Sequence, residues 1–207
     1  MTQNLEIPTA TVRSKVAIVI KNKYPATFIT FDGLVDGQEH FAVKFGDTST
    51  IKPLIRIHSE CITGDLFGST RCDCGYQLQE ALQKIAEDSG YLIYMRQEGR
   101  GIGLYSKLDA YLLQDGGMDT FDANLALSLP EDARSYIAAA QIIQALELNE
   151  IRLITNNINK VTALEQYGIH VINQICTGIY CFESNVNYLR AKALKHGHTI
   201  NLDKLKG

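Results

Sequence analysis

Three cysteines at short, fixed spacing place the strongest constraint on how this chain can fold. Cys61 is followed by Cys72 and Cys74, and Asp73 stands between the last two. Outside a secreted disulfide framework, clustered cysteines are metal ligands more often than disulfide partners. Cys72 and Cys74 are too close in sequence to bridge without strain, although in an extended segment their side chains point the same way. We therefore predict that the three sulfurs converge on a soft cation, usually zinc; the alternative is three small buried side chains.

The number of ligands decides what kind of zinc site this is. A structural zinc completes its tetrahedron with four protein groups, whereas a catalytic zinc keeps one position for water. Only three ligands are evident here, which favours the catalytic kind. A structural site is the alternative, with His58, Cys176 or Cys181 as the fourth ligand, although we expect the two later cysteines to be ordinary buried thiols.

The residues around the first cysteine are unusually polar for a core segment. The run RIHSECITGD occupies residues 56–65. Each polar group buried there needs a hydrogen-bond partner, so an ordinary core strand is an unfavourable interpretation. Beside a metal, the same side chains can orient the ligands or contact a substrate.

Composition limits the class of protein. The chain has 207 residues, of which 45% are hydrophobic and 21% charged, and this suits one domain with a substantial core. The formal net charge of −3 argues against a general nucleic-acid binder, which normally has a basic excess. We see no secretory signal and no apolar run of membrane-spanning length. Together with reduced thiols, these features predict a cytoplasmic protein without membrane or nucleic-acid partners.

Hydrophobic periodicity predicts an α+β or mixed α/β fold. Residues 1–50 have the alternation and turn dipeptides of a β-rich segment, with strands over 15–20, 26–31 and 40–45. From residue 52 onward, strands alternate with helices, which implies a mixed sheet with flanking helices. We expect a single compact domain over 1–207, comprising a β-rich N-terminal segment (1–50), a catalytic core (51–175) and a helical tail (176–207).

The elements of the core and tail can be predicted in more detail. Strands are expected over 54–58, 91–95, 151–154 and 170–172, and helices over 77–86 and 104–114. Residues 118–124 read as a polar loop, and a helix is expected to open at 129–132. The tail is expected to be helical over 188–194.

Two stretches have features of an anion site. The loop from Arg96 to Gly103 follows a strand and contains two arginines and three alternating glycines, so amides and guanidinium groups can turn toward a phosphate. A dinucleotide-binding turn is disfavoured because its third glycine would fall on Leu104. The strand at 151–154 is followed by a polar turn and a helix with an early Lys160, where amides and an ammonium converge.

Several motifs, in this order, resemble those of one enzyme family. They are RIHSECITGD, the Cys-x10-Cys-Asp-Cys-Gly spacing, YMRQEGRGIGL, AYLLQD, the Asp132-x-Arg134 pair and LITNNINK. The family is GTP cyclohydrolase II, which carries out the first committed step of riboflavin synthesis. The motifs cover roughly residues 39–160, and their joint specificity is high because no single motif carries the identification.

The resemblance implies hydrolysis of GTP to formate, pyrophosphate and a diaminopyrimidinone that carries the ribosyl phosphate. One zinc per chain on the three cysteines would lower the pKa of water for attack on C8 of guanine. Arg134 corresponds to the family's proposed nucleophile on the α-phosphorus, with Asp132 as proton acceptor. Phosphate clamping by Arg134 is the alternative, because a guanidinium stays protonated. Tyr111 corresponds to a tyrosine associated with completing the ring chemistry.

The resemblance also implies a set of GTP-binding residues and two further partners. The residues are Arg56, Ile57, His58, Ser59, Glu60, Gln77, Glu98, Gly99, Arg100, Thr120, Thr155 and Lys160. Mg²⁺ would bridge the phosphate oxygens, held mostly by substrate and water. The family also suggests a homodimer.

Three positions depart from the family's usual residues. Asp122 stands where Glu is more common, and Ser128 and Glu131 replace commoner Gly and Ala. The extra carboxylate at Glu131 lies close to where a triphosphate would bind, so a paralogue with altered or incomplete turnover is one alternative. A nucleotide-sensing relative that binds GTP without turnover and a binding module with structural zinc are the others.

Overall fold

The computed structural model describes residues 6–118, 120–130, 132–186 and 189. They form two compact units, and the chain passes repeatedly from one to the other. The first unit comprises the residues up to His58 together with Gln79–Arg96 and Ser135–Thr177. The second comprises Ser59–Leu78, Gln97–Arg134 and the described residues from Gly178 onward. The predicted three-segment division at residues 50 and 175 stays a prediction.

A seven-stranded sheet forms the framework of the first unit. Its strands are β1 (Thr11–Ile20), β2 (Tyr24–Asp32), β3 (Phe41–Phe45), β4 (Leu54–Ser59), β5 (Gly90–Met95), β6 (Glu150–Ile154) and β7 (His170–Ile175). Their order across the sheet is β1-β2-β3-β5-β4-β6-β7. The strands β1, β2, β3 and β5 pair antiparallel in turn, whereas β6 is parallel to β4 and β7. The predicted mixed sheet is therefore confirmed.

The connections explain why one side of the sheet is antiparallel. Only residues 21–23 separate β1 from β2, and Lys21 and Asn22 there have positive φ angles of 54° and 51°. Such a backbone forms a tight hairpin turn, which forces its two strands to run antiparallel. Helical segments separate β4, β6 and β7, and connections of that length permit parallel pairing.

Among the described residues, the helices follow the predicted apolar periodicity in most places. They are α1 (Ile62–Asp65), α2 (Cys74–Asp88), α3 (Leu104–Asp115), α4 (Thr120–Ala126), α5 (Ile137–Ala145) and α6 (Ile158–Gln166), with short 3₁₀ helices at Glu98–Gly101 and Glu183–Asn185. Helices α2 and α3 confirm the helices predicted over 77–86 and 104–114.

The core of the first unit lies between the sheet and α5. Ile55, Ile93 and Leu153 of three strands are completely buried, and so are Ala139 and Ile143 of the helix. Successive alanines in α5 let its backbone approach the sheet closely.

Three local predictions were wrong. Cys72 and Cys74 do not lie in an extended segment, because Cys72 is in a bend and Cys74 is the first residue of α2. Residues 118–124 are not a polar loop, because α4 begins at Thr120 and buries Ala123. The helix expected at 129–132 begins only at Ile137.

The late start of α5 has a local cause. The Asp132 carboxylate accepts a hydrogen bond from the backbone N–H of Arg134 at 3.0 Å. A short polar side chain that bonds the backbone two residues on competes with helix formation. The helix predicted at 188–194 lies outside the described residues apart from Leu189.

Candidate metal centre and active site

The three predicted cysteine ligands come together in the second unit. Their sulfur atoms all lie within 4.8 Å of one another, and those of Cys61 and Cys72 are 3.6 Å apart. Cys61 immediately precedes α1, Cys72 lies in the bend before α2, and Cys74 begins α2. All three are free thiols, and 3.6 Å is far longer than the roughly 2 Å of a disulfide bond. The sulfurs therefore converge as predicted, whereas their role as ligands stays a prediction.

Gly64 keeps the space beside the sulfurs open. A Cβ at this position would lie 2.9 Å from the Cys72 sulfur, 3.2 Å from the Cys61 sulfur and 3.2 Å from the Cβ of Cys74. At Gly75, a Cβ would lie 2.2 Å from the Gly64 carbonyl oxygen. Neither glycine has a positive φ, so the property required at both positions is the absence of a side chain.

The cluster fits a zinc ion with three thiolate ligands. Zn–S bonds of about 2.3 Å in a tetrahedron separate the sulfurs by about 3.8 Å, close to the 3.6 Å between Cys61 and Cys72. Within the described residues, no fourth His, Cys, Asp or Glu belongs to the cluster. Three protein ligands leave one tetrahedral position for a non-protein group, as catalytic zinc requires.

The later cysteines do not have the environment that we expected. The prediction of ordinary buried thiols is wrong, because Cys176 is exposed and Cys181 is partly exposed. Cys176 directly follows β7, an edge strand, where the chain leaves the sheet. His58 is buried in the first unit, with its ring stacked 5.6 Å from that of Tyr94. None of the three is a member of the sulfur cluster.

Hydrogen bonding divides the negative charge of the cluster unequally. Bonds from Cys72 and Cys74 lower the pKa of the Cys61 thiol far below its ordinary value, and the nearby Lys107 ammonium acts in the same direction. The bond to Cys61 raises the pKa of Cys72 to about 12. Bonds to the other two sulfurs, together with burial, raise the pKa of Cys74. A cation bound to all three sulfurs replaces these shared protons.

Two carboxylates hold the backbone that carries the sulfurs. Asp65 accepts a hydrogen bond from the Cys61 amide at 3.0 Å. Asp73 is 1% exposed and accepts a hydrogen bond from the side-chain amide of Gln77. Gln77, a predicted GTP contact, thus orients the bend between Cys72 and Cys74, and its contact with substrate stays a prediction.

Glu98, another predicted GTP contact, is buried and bonded within the protein. Its Oε2 accepts a hydrogen bond from the Ile62 amide at 2.6 Å. Its Oε1 accepts bonds from the Gly99 amide and from the Lys107 ammonium, each at 2.7 Å. Because Ile62 directly follows Cys61, the carboxylate connects the glycine-rich loop to the backbone of the first cysteine of the cluster.

Lys107 is the functional candidate that the sequence reasoning missed. Its ammonium, on α3, lies 3.6 Å from the Cys61 sulfur and 3.1 Å from the Thr63 hydroxyl. Burial lowers the pKa of Lys107, but the bond to Glu98 and the charge of Cys61 outweigh burial, so its pKa is raised. One sequence signal was available: Lys107 precedes Tyr111 by four residues, and residues at that spacing share a helix face.

Tyr111 is held by a pair of charged residues. The guanidinium of Arg71 lies over its ring, 4.3 Å from the centroid, and makes bonds of 2.7 and 3.0 Å to the two Asp115 carboxylate oxygens. Burial is the main reason that the pKa of Tyr111 is raised to about 12, and the Lys107 ammonium opposes it. The phenol is therefore a hydrogen-bond donor at neutral pH.

The glycine-rich loop adjoins the Asp132–Arg134 pair. The Ala133 amide donates to the Arg100 carbonyl at 2.9 Å, and a Cβ at Gly101 would lie 3.0 Å from the Ala133 carbonyl carbon. Gly99 and Arg100 both have a φ of 59°, a strained conformation for an arginine. These contacts bring the predicted anion-binding loop against the segment that carries the predicted catalytic pair.

Asp132 and Arg134 form a partly buried ion pair. Their side chains are 30% and 13% exposed, and the Arg134 Nε lies 2.9 Å from an Asp132 carboxylate oxygen. Burial acts to raise the pKa of Asp132, but the hydrogen bonds and charge of Arg134 outweigh it and lower the pKa. The carboxylate is therefore ionised and bonded to the guanidinium.

Five predicted GTP contacts lie in the first unit. Arg56 is buried and donates to the Ile154 carbonyl at 3.0 Å, and Lys160 is buried and donates to the Ile57 carbonyl at 2.9 Å. Thr155 is buried after β6, where its hydroxyl accepts from the Asn157 amide at 3.0 Å. The other two are Ile57 and His58, both buried in β4.

The remaining predicted contacts have partly described surroundings. Ser59 and Glu60 are partly buried at the end of β4, and the buried Ser59 hydroxyl has no hydrogen-bond partner among the described residues. Thr120 begins α4, but its side chain lies outside what the structure describes. Of the departures from the family pattern, Ser128 has a φ of 55°, which favours the commoner glycine. Asp122 is exposed, and Glu131 lies outside the described residues.

Comparison with known proteins covers nearly all of the described chain. The sequence matches the GTP cyclohydrolase II family over residues 13–176. It is 45% identical over 199 residues to the GTP cyclohydrolase-2 of Aliivibrio fischeri, covering 94% of this chain and 100% of that protein. It is 47% identical over 193 residues to the GTP cyclohydrolase-2 of Psychromonas ingrahamii, covering 91% and 96%. It is 49% identical over 185 residues to the riboflavin biosynthesis protein RibBA of Bacillus mycoides, covering 86% of this chain and 47% of that protein.

The matched region contains every predicted catalytic, GTP-binding and cysteine-cluster residue. The sulfur cluster, the glycine-rich loop and the Asp132–Arg134 pair fall between residues 13 and 176. Among the residues that the structure describes, no helix combines the length and apolar character needed to cross a membrane.

Proposed function

This chain belongs to the GTP cyclohydrolase II family, hydrolases of riboflavin biosynthesis, and from that premise we propose how its own residues carry out the reaction. The substrate is GTP, and the products are formate, pyrophosphate and a diaminopyrimidinone ribosyl phosphate. One zinc ion per chain is held by Cys61, Cys72 and Cys74. The observation that carries this proposal is the convergence of three thiols without a fourth protein ligand among the described residues.

The chemistry at the purine ring needs an activated water and a proton donor. Zinc, when bound, supplies a Lewis acid that lowers the pKa of water close to guanine C8. Tyr111 donates a hydrogen bond during opening of the ring and release of C8 as formate. Its raised pKa, about 12, keeps the phenolic proton in place at neutral pH. Arg71 and Asp115 hold its ring in position.

Removal of pyrophosphate depends on Asp132 and Arg134. In the nucleophile mechanism, a guanidinium nitrogen forms a bond to the α-phosphorus while the bond to the pyrophosphate oxygen breaks. The proton lost from nitrogen passes to Asp132, and water then cleaves the phosphorus–nitrogen bond. The ion pair supports this role, because a partly buried carboxylate in contact with the guanidinium is placed to accept that proton.

A clamp is the alternative role for Arg134, and one experiment separates the two. We would mix the enzyme with GTP labelled at the α-phosphate and quench within one turnover. A nucleophilic Arg134 predicts acid-labile label on the protein that Arg134→Met abolishes. A clamp predicts no bound label at any time, with Arg134→Lys mainly raising KM.

The remaining GTP contacts follow from the family motifs and stay proposals. Arg100, in its strained loop, contacts the phosphates, and Mg²⁺ would neutralise part of the phosphate charge. The residues with the same proposed role elsewhere are Arg56, Ile57, His58, Ser59, Glu60, Gln77, Gly99, Thr120, Thr155 and Lys160. Single alanine variants of the charged members should raise KM more than they lower kcat where the contact is to phosphate.

Product analysis tests the proposed function directly. Purified protein would be incubated with GTP and Mg²⁺, and formate, pyrophosphate and the pyrimidine would be measured separately. We expect all three in equal amounts, their loss after chelation, and their return with added zinc. Saturable GTP binding without any product would refute the enzyme and favour a nucleotide sensor. Pyrophosphate without formate would indicate incomplete turnover.

We propose that the chain forms a homodimer in the cytoplasm. Helix α3 leaves Tyr105 and Leu112 82% and 71% exposed, with Leu108 between them on the same face. A second copy of the chain would cover this apolar face. Light scattering should give twice the chain mass, reduced to one by Leu112→Glu but not by Ile158→Glu at an exposed position on α6. The free thiols of the cluster suit a reducing compartment.

A further inference from the structure

Lys107 is a buried cation without an assigned role in the proposed reaction. It is 9% exposed and lies on the inner face of α3. A lysine is seldom buried unless its ammonium is paired, because removing the charge from water is costly. The groups around it therefore indicate why the position carries a charge.

The ammonium contacts three groups of the second unit at once. It lies 2.7 Å from a Glu98 carboxylate oxygen, 3.1 Å from the Thr63 hydroxyl and 3.6 Å from the Cys61 sulfur. An ammonium has three donors and no acceptor, so these three acceptors match its full capacity. Its position is fixed by these contacts and by the helix that carries it.

The charges of the cluster explain what such a cation does. Three thiolates and one Zn²⁺ carry a net charge of −1, and the Glu98 carboxylate adds a second negative charge. Lys107 supplies the positive charge that offsets one of them at the distance of a hydrogen bond. With Lys107 the whole group carries a net charge of −1; without it the net charge would be −2, facing a substrate that itself carries a triphosphate.

Glu98 forms the other half of this arrangement. Both of its carboxylate oxygens are bonded inside the protein, to the Ile62 and Gly99 amides and to Lys107. The carboxylate therefore ties the ammonium to the backbone next to Cys61. Its bonds point to a positioning role and away from a direct contact between this carboxylate and GTP.

We propose that Lys107, anchored by Glu98, is a positioning residue that orients the Cys61 sulfur and offsets the charge of the thiolate cluster. This inference rests on the proposed zinc site. Hydrogen-bonding partners of metal ligands typically change metal affinity or activity by about 10–100-fold when removed. The rival view is that Lys107 only neutralises Glu98 and stabilises the fold.

Two substitutions at Lys107 separate these views. Lys107→Met keeps the length and apolar stem but removes the donors, whereas Lys107→Arg keeps a positive donor. Lys84→Met is the matched control, because Lys84 also forms a 2.7 Å ion pair, with Glu80, but is 39% exposed. Each full-length protein would be stripped of metal and tested for folding by thermal denaturation before metal is added.

The main measurement is zinc affinity, by competition with a chromogenic chelator. We expect Lys107→Met to bind zinc about 10–100-fold more weakly than wild type, Lys107→Arg to recover some of the loss, and Lys84→Met to match wild type. Cobalt substitution gives a second measurement. The thiolate-to-cobalt absorption band should shift in Lys107→Met, because a hydrogen bond to one ligand sulfur is lost.

The outcomes distinguish this inference from the proposed function. Wild-type protein that binds no zinc would remove the premise and the proposed metal site with it. If the wild type binds zinc, and Lys107→Met binds it with the same affinity and has the same cobalt absorption band, the positioning role alone is overturned. The positioning role is also overturned if Lys107→Met and Lys107→Arg lose the same zinc affinity and both metal-free variants are unfolded.

Discussion

Replacing Gly64 by alanine tests the proposed metal centre with a single methyl group. The added carbon would lie 2.9 Å from the Cys72 sulfur and 3.2 Å from the Cys61 sulfur, whereas ordinary contact begins at 3.4 Å. The two sulfurs must therefore retreat by about 0.5 Å (3.4 − 2.9) and 0.2 Å (3.4 − 3.2). Distances in a working metal site vary by only about 0.2 Å, so the first displacement exceeds what a Zn–S bond tolerates.

The backbone conformation at Gly64 is compatible with alanine. Gly64 lies in α1 and has no positive φ. In a helix, alanine is more favourable than glycine by up to about 1 kcal/mol. We therefore expect zinc affinity to fall at least about tenfold, while the metal-free variant unfolds at a denaturant concentration close to that of wild type.

Three measurements check this prediction. Bound zinc would be counted after dialysis, zinc affinity measured by chelator competition, and formate release followed with GTP and Mg²⁺. Gly116→Ala is the matched control, because Gly116 caps α3 with a φ of −77° and is not among the residues around the sulfurs. A Gly64→Ala enzyme with wild-type zinc affinity and formate release would refute the reasoning from the space between the sulfurs.

Further substitutions probe the ligands, the ion pair and the core. Cys72→Ser should lose zinc and formate release together, whereas Cys176→Ser, at an exposed thiol, should retain both; full formate release without zinc in the first variant would contradict the metal site. Asp132→Asn removes a carboxyl whose pKa is lowered by folding. Above about pH 4, the unfolding free energy of the wild type should exceed that of the variant by a few tenths of a kcal/mol, and this difference should disappear as pH falls further. Urea titrations that show a constant difference down to about pH 2 would exclude this linkage. Ile93→Ala, at a fully buried position of β5, should lower the free energy of unfolding in urea by about 2–5 kcal/mol. Ile172→Ala, at a position that is 51% exposed, should lower it by less than about 0.5 kcal/mol. Equal losses in the two variants would contradict the assignment of the core.

The sequence predicts the fold best where apolar periodicity is strong. The strands and the helices α2 and α3 were found where alternation and helical spacing indicated them. The helix α4 was missed because the polar residues of this stretch indicated a loop, although Ala123 within it is buried. The start of α5 was misjudged because a side chain of Asp132 bonds the backbone and replaces the first helical turn.

In the candidate site, too, the sequence predicted which cysteines come together but not which other side chains surround them. The spacing of the cysteines predicted that their sulfurs meet, because few other arrangements explain three clustered thiols. The same reasoning could not identify Lys107, since a lysine on an amphipathic helix is usually solvated. Its importance depends on the approach of Glu98 and Cys61, which are 9 and 46 residues away in sequence. Contacts of that kind leave no local pattern.

The path of the chain has a consequence for any attempt to transplant this centre. The three sulfurs belong to the segment Ser59–Leu78 of the second unit, whereas Glu98 and Lys107 belong to its separate segment Gln97–Arg134. A graft of the cysteine segment alone would carry three negative donors into a host without their compensating cation. A graft that keeps the compensating cation must therefore include both segments.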